Sequence, residues 1–152
     1  MGNSKLLATV AVLAAGAVAM PAFAGATLDA VKKRDYLVCG VNTSAPGFGS
    51  ADSQGNWEGL DVNICRSVAA AVLGDAKKVK FVPLTSSQRF TALQSGEIDV
   101  LARNTTWTMT RDTTQGAMFV GTSYYDGQGF IVPKEFGIKT LKELDGASIC
   151  IQ

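Results

Sequence analysis

Short apolar runs alternate along this chain with apolar stripes of helical period. Residues 36–42, YLVCGVN, form a β-prone run and predict a first strand. Residues 43–57, TSAPGFGSADSQGNW, are dense in Gly, Ser, Asp and Pro and predict a loop. Asp61, Ile64, Cys65, Val68, Ala69 and Val72 then recur at helical spacing, which predicts a helix ending near Gly74, a C′ glycine. Residues 78–84, KVKFVPL, alternate and predict a strand. Thr85-Ser86-Ser87-Gln88 has the form of a capping box and opens a helix through Leu93, which Ser95-Gly96 ends. Residues 98–102, IDVLA, read as a short buried strand. A helix begins after Thr108, and 118–120, MFV, read as a further strand. Strand and helix alternating in this way predict an α/β unit with a mainly parallel sheet.

From Tyr124 the pattern changes. Residues 124–134, YYDGQGFIVPK, read as an extended crossing segment rather than a hairpin. Thr140 to Glu143 repeat the capping-box pattern and predict a short helix, and 147–152, ASICIQ, a strand. With no helix following to cover that strand, the chain reads as unfinished.

Composition narrows the field. The chain of 152 residues is 47% hydrophobic and 18% charged with net charge +1, which suits one ordinary domain and gives no support for nucleic acid as a partner. Histidine is absent, which removes the commonest acid/base group and metal ligand. The start has Lys5, an apolar run from Leu6 to Met20, Pro21, and the small-residue pattern Ala22-Phe23-Ala24. Residues 1–24 read as a secretory signal cleaved after Ala24; the alternative, a membrane anchor, needs a longer run. Export makes cysteine pairing relevant. Cys39 lies in the first strand and Cys65 in the helix after it, so they are either bridged or two small buried thiols, and Cys150 is left over. Three cysteines without close spacing make no zinc pattern.

Residues 103–111, RNTTWTMTR, follow the strand at 98–102 with hardly an aliphatic residue. A polar loop at the carboxyl end of a parallel strand is where open α/β sheets bind ligands. Thr105, Thr106 and Thr108 offer hydroxyls and Asn104 an amide. Arg111 can grip a carboxylate through two parallel hydrogen bonds. The set suits a small α-carboxylate, against the plainer reading of helix caps and a surface charge.

Residues 59–72, GLDVNICRSVAAAV, together with 93–101, LQSGEIDVL, and the loop RNTTWTMTRD resemble the periplasmic amino-acid-binding proteins of ABC importers, the family 3 solute-binding proteins. Gly59, Leu60, Asp61, Val62, Ile64, Val68 and Ala69 match the signature, and Asn63 stands where an acid is usual. The wording is most similar to the general L-amino-acid (AapJ/BztA-like) subfamily. The resemblance implies a type II periplasmic-binding-protein-like lobe with flanking helices: 25–123 as an incomplete lobe 1, 124–134 as the hinge strand, and 135–152 as the start of a truncated lobe 2. It implies a monomeric, periplasmic carrier that captures L-amino acids and delivers them to an inner-membrane ABC permease, with no cofactor. Arg111, with Thr106 and Asn104, takes the ligand-binding positions, joined by Thr105. Ala45 replaces an aromatic ring usual in the family, and Trp107, Phe48 and Trp57 are the candidates to contact a ligand side chain, against simple packing. Gln88 and Arg89 open a helix beside the cleft and read as solvated more than as ligand contacts. A fragment that lacks most of lobe 2 is expected to bind amino acids weakly or not at all.

The alternative is a periplasmic enzyme on the same scaffold, of the cyclohexadienyl or arogenate dehydratase kind. An enzyme needs a placed acid or base. Asp61 reads as a structural residue of the signature helix, and Glu97 and Asp99 as solvent-facing residues beside a strand.

Overall fold

The computed structural model describes residues 25–150. The signal expected at 1–24 and the last two residues lie outside the described residues. Helix α1 (Ala26–Arg34) leads into strand β1 (Leu37–Val41). Three short strands follow, β2 (Ser44–Ala45), β3 (Gly49–Ala51) and β4 (Trp57–Glu58), and then helix α2 (Leu60–Leu73). Strand β5 (Val79–Pro83), helix α3 (Arg89–Gln94), strand β6 (Val100–Leu101) and helix α4 (Met109–Thr113) complete the ordered alternation.

Strands β5, β1 and β6 form a parallel sheet in that order, Leu37 facing Val79 and Cys39 facing Val100 in register. The central strand β1 is apolar on both faces, as a strand covered on both sides must be. Cys39 and Val41 pack with Val62 and Cys65 of α2, and Leu37 with Val31 of α1 and Ala69 of α2. Val38 faces the other way, against the cluster of Leu84, Ala92 and Ile98 under α3. Each such side chain taken from water contributes roughly 1.5–3 kcal/mol. Gly40 leaves room there: a Cβ would stand 2.7 Å from the side chains of both Leu84 and Ile98. The Sγ atoms of Cys39 and Cys65 are bonded, which staples α2 to β1 across a separation of 26 residues.

Helix α2 starts without a side-chain cap. Its first amides instead donate to loop carbonyls, Leu60 N to Gly47 O and Asp61 N to Phe48 O, each at 2.9 Å. The loop reaches the helix only because residue 59 is glycine, with φ 120° and an imaginary Cβ 2.3 Å from Phe48 O. Gly74 ends α2 in the left-handed region with φ 73°, as the sequence predicts.

Several expectations need correction. Helix α1 was not predicted; its basic last turn, Lys32, Lys33 and Arg34, hides a segment in which only Val31 is buried. The loop at 43–57 contains the antiparallel sheet β2-β3-β4, whose strands of two or three residues are too short to show periodicity. Helix α3 starts at Arg89, not Thr85; Gln88 Oε1 accepts from Thr85 N and Thr85 Oγ1, a box that closes a turn before the helix. Asp99 does not face solvent: it accepts from Val38 N at 2.7 Å and pairs with Arg34. No strand forms at 118–120, 124–134 or 147–150; the segment carries only 3-10 turns at Lys134–Phe136 and Leu141–Leu144. The only strand that β6 pairs with among the described residues is β1, so these β-prone runs have no ladder partner.

Candidate functional site

The three parallel strands end at one rim. The chain leaves β1 at Asn42, β5 at Leu84 and β6 at Ala102, and because β1 is central, with β5 and β6 on opposite sides, the rim lies at a reversal of strand order where open sheets place ligands. A cleft of about 520 Å³ opens there, lined among others by Asn42, Ser44, Ser86, Arg89 and Arg103.

Arg103 and Asn104 bind the three loops together. Arg103 Nη1 donates to Leu84 O at 2.5 Å and Nη2 to Ser86 Oγ at 3.2 Å, both in the loop after β5. Its Nε and Nη2 also donate to Asn104 Oδ1, at 3.0 and 2.8 Å. Asn42 Nδ2 donates to the same oxygen from the loop after β1, and Asn42 Oδ1 accepts from Ser44 N. Asn104 Oδ1 thus has three internal donors, and its backbone carbonyl accepts from Arg89 Nη1 at 2.8 Å. The oxygens of Asn104 are engaged within the protein; its side-chain amide nitrogen makes no hydrogen bond among the described residues.

Arg111 stands on the first turns of α4, where Thr108 is the N-cap and its hydroxyl accepts from Arg111 N. Arg111 Nη1 donates to Thr106 O at 2.8 Å, which folds the guanidinium back over the loop. Phe90 lies between two such groups: Arg89 sits 5.3 Å and Arg111 5.7 Å from its ring centre. Arg89 is buried, not solvated, and its Nε, like the Thr105 hydroxyl, has no hydrogen-bond partner among the described residues.

The rim is electropositive. Burial, then the nearby charges of Arg111 and Arg103, lower the Arg89 pKa, and burial also lowers that of Arg103, against the pull of Asp61. Asp61 is the buried acid of this group; burial raises its pKa and Arg103 opposes the rise. Three guanidinium groups against one carboxylate favour an anion.

The aromatic candidates separate. Trp57 lies 5.8 Å from Phe81, and its carbonyl accepts from Arg66, so it packs against β5 and α2. Phe48 meets Tyr124 edge-on at 5.0 Å. Trp107 stacks on Phe119 at 5.2 Å and stays half exposed beside the Thr106 loop. None of the three lines the cleft, and neither do Asn104, Thr105, Thr106 and Arg111. Arg103, Phe90 and Asn42 were missed as site residues, and Arg89 was misread as solvated. An arginine directly after a buried strand, with an acid in the apolar stripe of the signature helix α2, is the one signal that could have marked Arg103.

A parallel sheet with helices on both faces and a cationic mouth at its strand ends defines a lobe of the periplasmic-binding-protein-like class. Within that class, the chain belongs to the bacterial extracellular solute-binding proteins, family 3, whose model matches residues 37–143. It is 53% identical over 154 residues to the general L-amino acid-binding periplasmic protein AapJ of Rhizobium johnstonii, covering 100% of this chain and 44% of that one. Among solved structures it is similar to an ABC transporter/periplasmic binding protein from Brucella ovis with glutathione bound, with TM-score 0.77, 55% identity, and 82% of this chain and 40% of that one covered. It is also similar to the arginine-bound form of domain 1 of TmArgBP from T. maritima, with TM-score 0.50, 32% identity, and 55% of this chain and 64% of that one covered. The chain spans about 40% of the length of the curated relatives it matches.

Proposed function

We propose that this chain is the amino-acid-capturing lobe of the periplasmic binding component of an ABC importer, exported by residues 1–24 and serving an inner-membrane permease. The observation that carries the proposal is the Arg111 guanidinium folded onto the Thr106 loop at the sheet's rim, beside Arg89 and Arg103. Only Nη1 of that guanidinium is hydrogen-bonded among the described residues, so the other N–H groups are available to a ligand's α-carboxylate. Thr106 and the amide nitrogen of Asn104 complete the cradle, with the Thr105 hydroxyl beside it. Trp107 is the aromatic residue best placed to meet a ligand side chain; Phe48 and Trp57 serve packing.

The names of the relatives support a free amino acid or a ligand that carries an amino-acid head, as glutathione does. The dehydratase alternative finds less support: Asp61 is balanced by Arg103, and Asp99 is spent on Arg34 and Val38. In a bilobal binder, ligand bridges two lobes and stabilises the closed state. A single lobe presents one side of that cleft, so we expect these residues alone to bind amino acids weakly or not at all. The arginine-bound domain 1 of TmArgBP supports a lobe holding ligand by itself.

Calorimetry of residues 25–152 with a panel of L-amino acids and glutathione tests this. Binding that Arg111→Ala weakens about tenfold or more supports the site. Micromolar binding overturns the expected impairment, and binding unaffected by Arg111→Ala overturns the site.

A further inference from the structure

We infer that Arg103 is a positioning residue, which holds the three strand-end loops of the rim in one arrangement without touching ligand. The inference rests on the proposed amino-acid site for its meaning, but not for its test. Arg103 is 8% exposed, and each guanidinium nitrogen is hydrogen-bonded within the protein. Its partners come from separate segments: Leu84 and Ser86 after β5, and Asn104 after β6, whose Oδ1 extends the chain of bonds to Asn42 and Ser44 after β1. Asp61 on α2 balances the charge from below. Asn104 is two residues before Thr106, the residue that Arg111 grips. The planar fork of arginine meets several acceptors at fixed angles; a lysine ammonium keeps the charge but not that geometry. Losing the fork would leave Leu84 O and Asn104 Oδ1 short of donors at a rim that no regular ladder supports.

Two variants of the chain, Arg103→Met and Arg103→Lys, are compared with the parent by amide hydrogen exchange and by calorimetry with the same panel. For Arg103→Met we expect about tenfold or faster exchange at the hydrogen-bonded amides that root the three loops, Ser44, Thr85 and Ala102, while amides within β1 and α2 change by less than about twofold. Arg103→Lys should not restore the parent rates. Any L-amino acid that the parent binds should bind the variants about tenfold or more weakly, and all ligands by a similar factor, since each guanidinium nitrogen of Arg103 is already committed within the protein. Acceleration confined to Ala102, equal acceleration through the core, or full rescue by lysine would each overturn the inference. If Arg103→Met does not fold, Ser86→Ala, which removes a single partner, should still quicken exchange at Ala102; no change there counts against it. If the parent binds nothing in the panel, the exchange data still decide the role of Arg103.

Discussion

Two regions of this chain have similar apolar content and opposite fates. From Ala26 to Thr113, apolar residues are buried on both faces of a sheet, Cys39, Val41, Val62 and Cys65 on one and Leu84, Ala92 and Ile98 on the other. From Met118 onward they stand in the open, with Val120 at 91% and Ile131 at 101% of full exposure. β-prone sequence does not make a strand alone. A strand needs a neighbour to take its N–H and C=O groups, and the first region supplies β1 to both β5 and β6.

The largest effect that separates the regions is a substitution repeated in each. Gly59→Ala forces a Cβ against Phe48 O at a positive φ and should cost about 3 kcal/mol or more in urea unfolding. Gly127→Ala, with nothing within 4 Å, should change stability by no more than about 0.5 kcal/mol. Equal costs would mean that the second region is packed after all. Next comes the staple: Cys39→Ser with Cys65→Ser should cost about 3 kcal/mol, as expected for a loop of 26 residues, and abolish the sensitivity of the melting temperature to reductant. Titration gives a smaller effect. The Asp61 pKa is raised in the folded state, so its contribution is fully present below its unfolded value near 3.8 and is lost as pH rises through the folded pKa. The parent should therefore lose stability relative to Asp61→Asn over that rise, and a parallel pair of pH profiles would contradict it. Smallest of all, Ile131→Ser should leave stability within about 0.5 kcal/mol while reducing the binding of an apolar dye.

The sheet and its helices were legible because their signals are periodic. The stripe from Asp61 to Val72 and the stop at Gly74 mark α2 within a residue or two, and the runs around 37–41 and 79–83 mark β1 and β5. The parts that escaped are those where one residue decides. Helix α1 buries a single side chain, so it carries no stripe. The strand expected at 118–120 failed for want of a partner, a fact no local window contains. In the site, the Thr106–Arg111 pairing lay within one loop and could be read from spacing. Arg89 and Arg103 could not: arginines are usually solvated, and their burial follows from loops that are distant in sequence.

The way α2 begins has a consequence for how this mouth attracts charge. Helix starts often present bare amides to anions, but here main-chain oxygens of residues 47 and 48 already occupy the first of them. Attraction at the rim therefore resides in exchangeable guanidinium groups rather than in the peptide scaffold. Exchanging Arg111 would retune what such a mouth admits at little expense to the framework, whereas Arg103 cannot change without loosening the loops it ties.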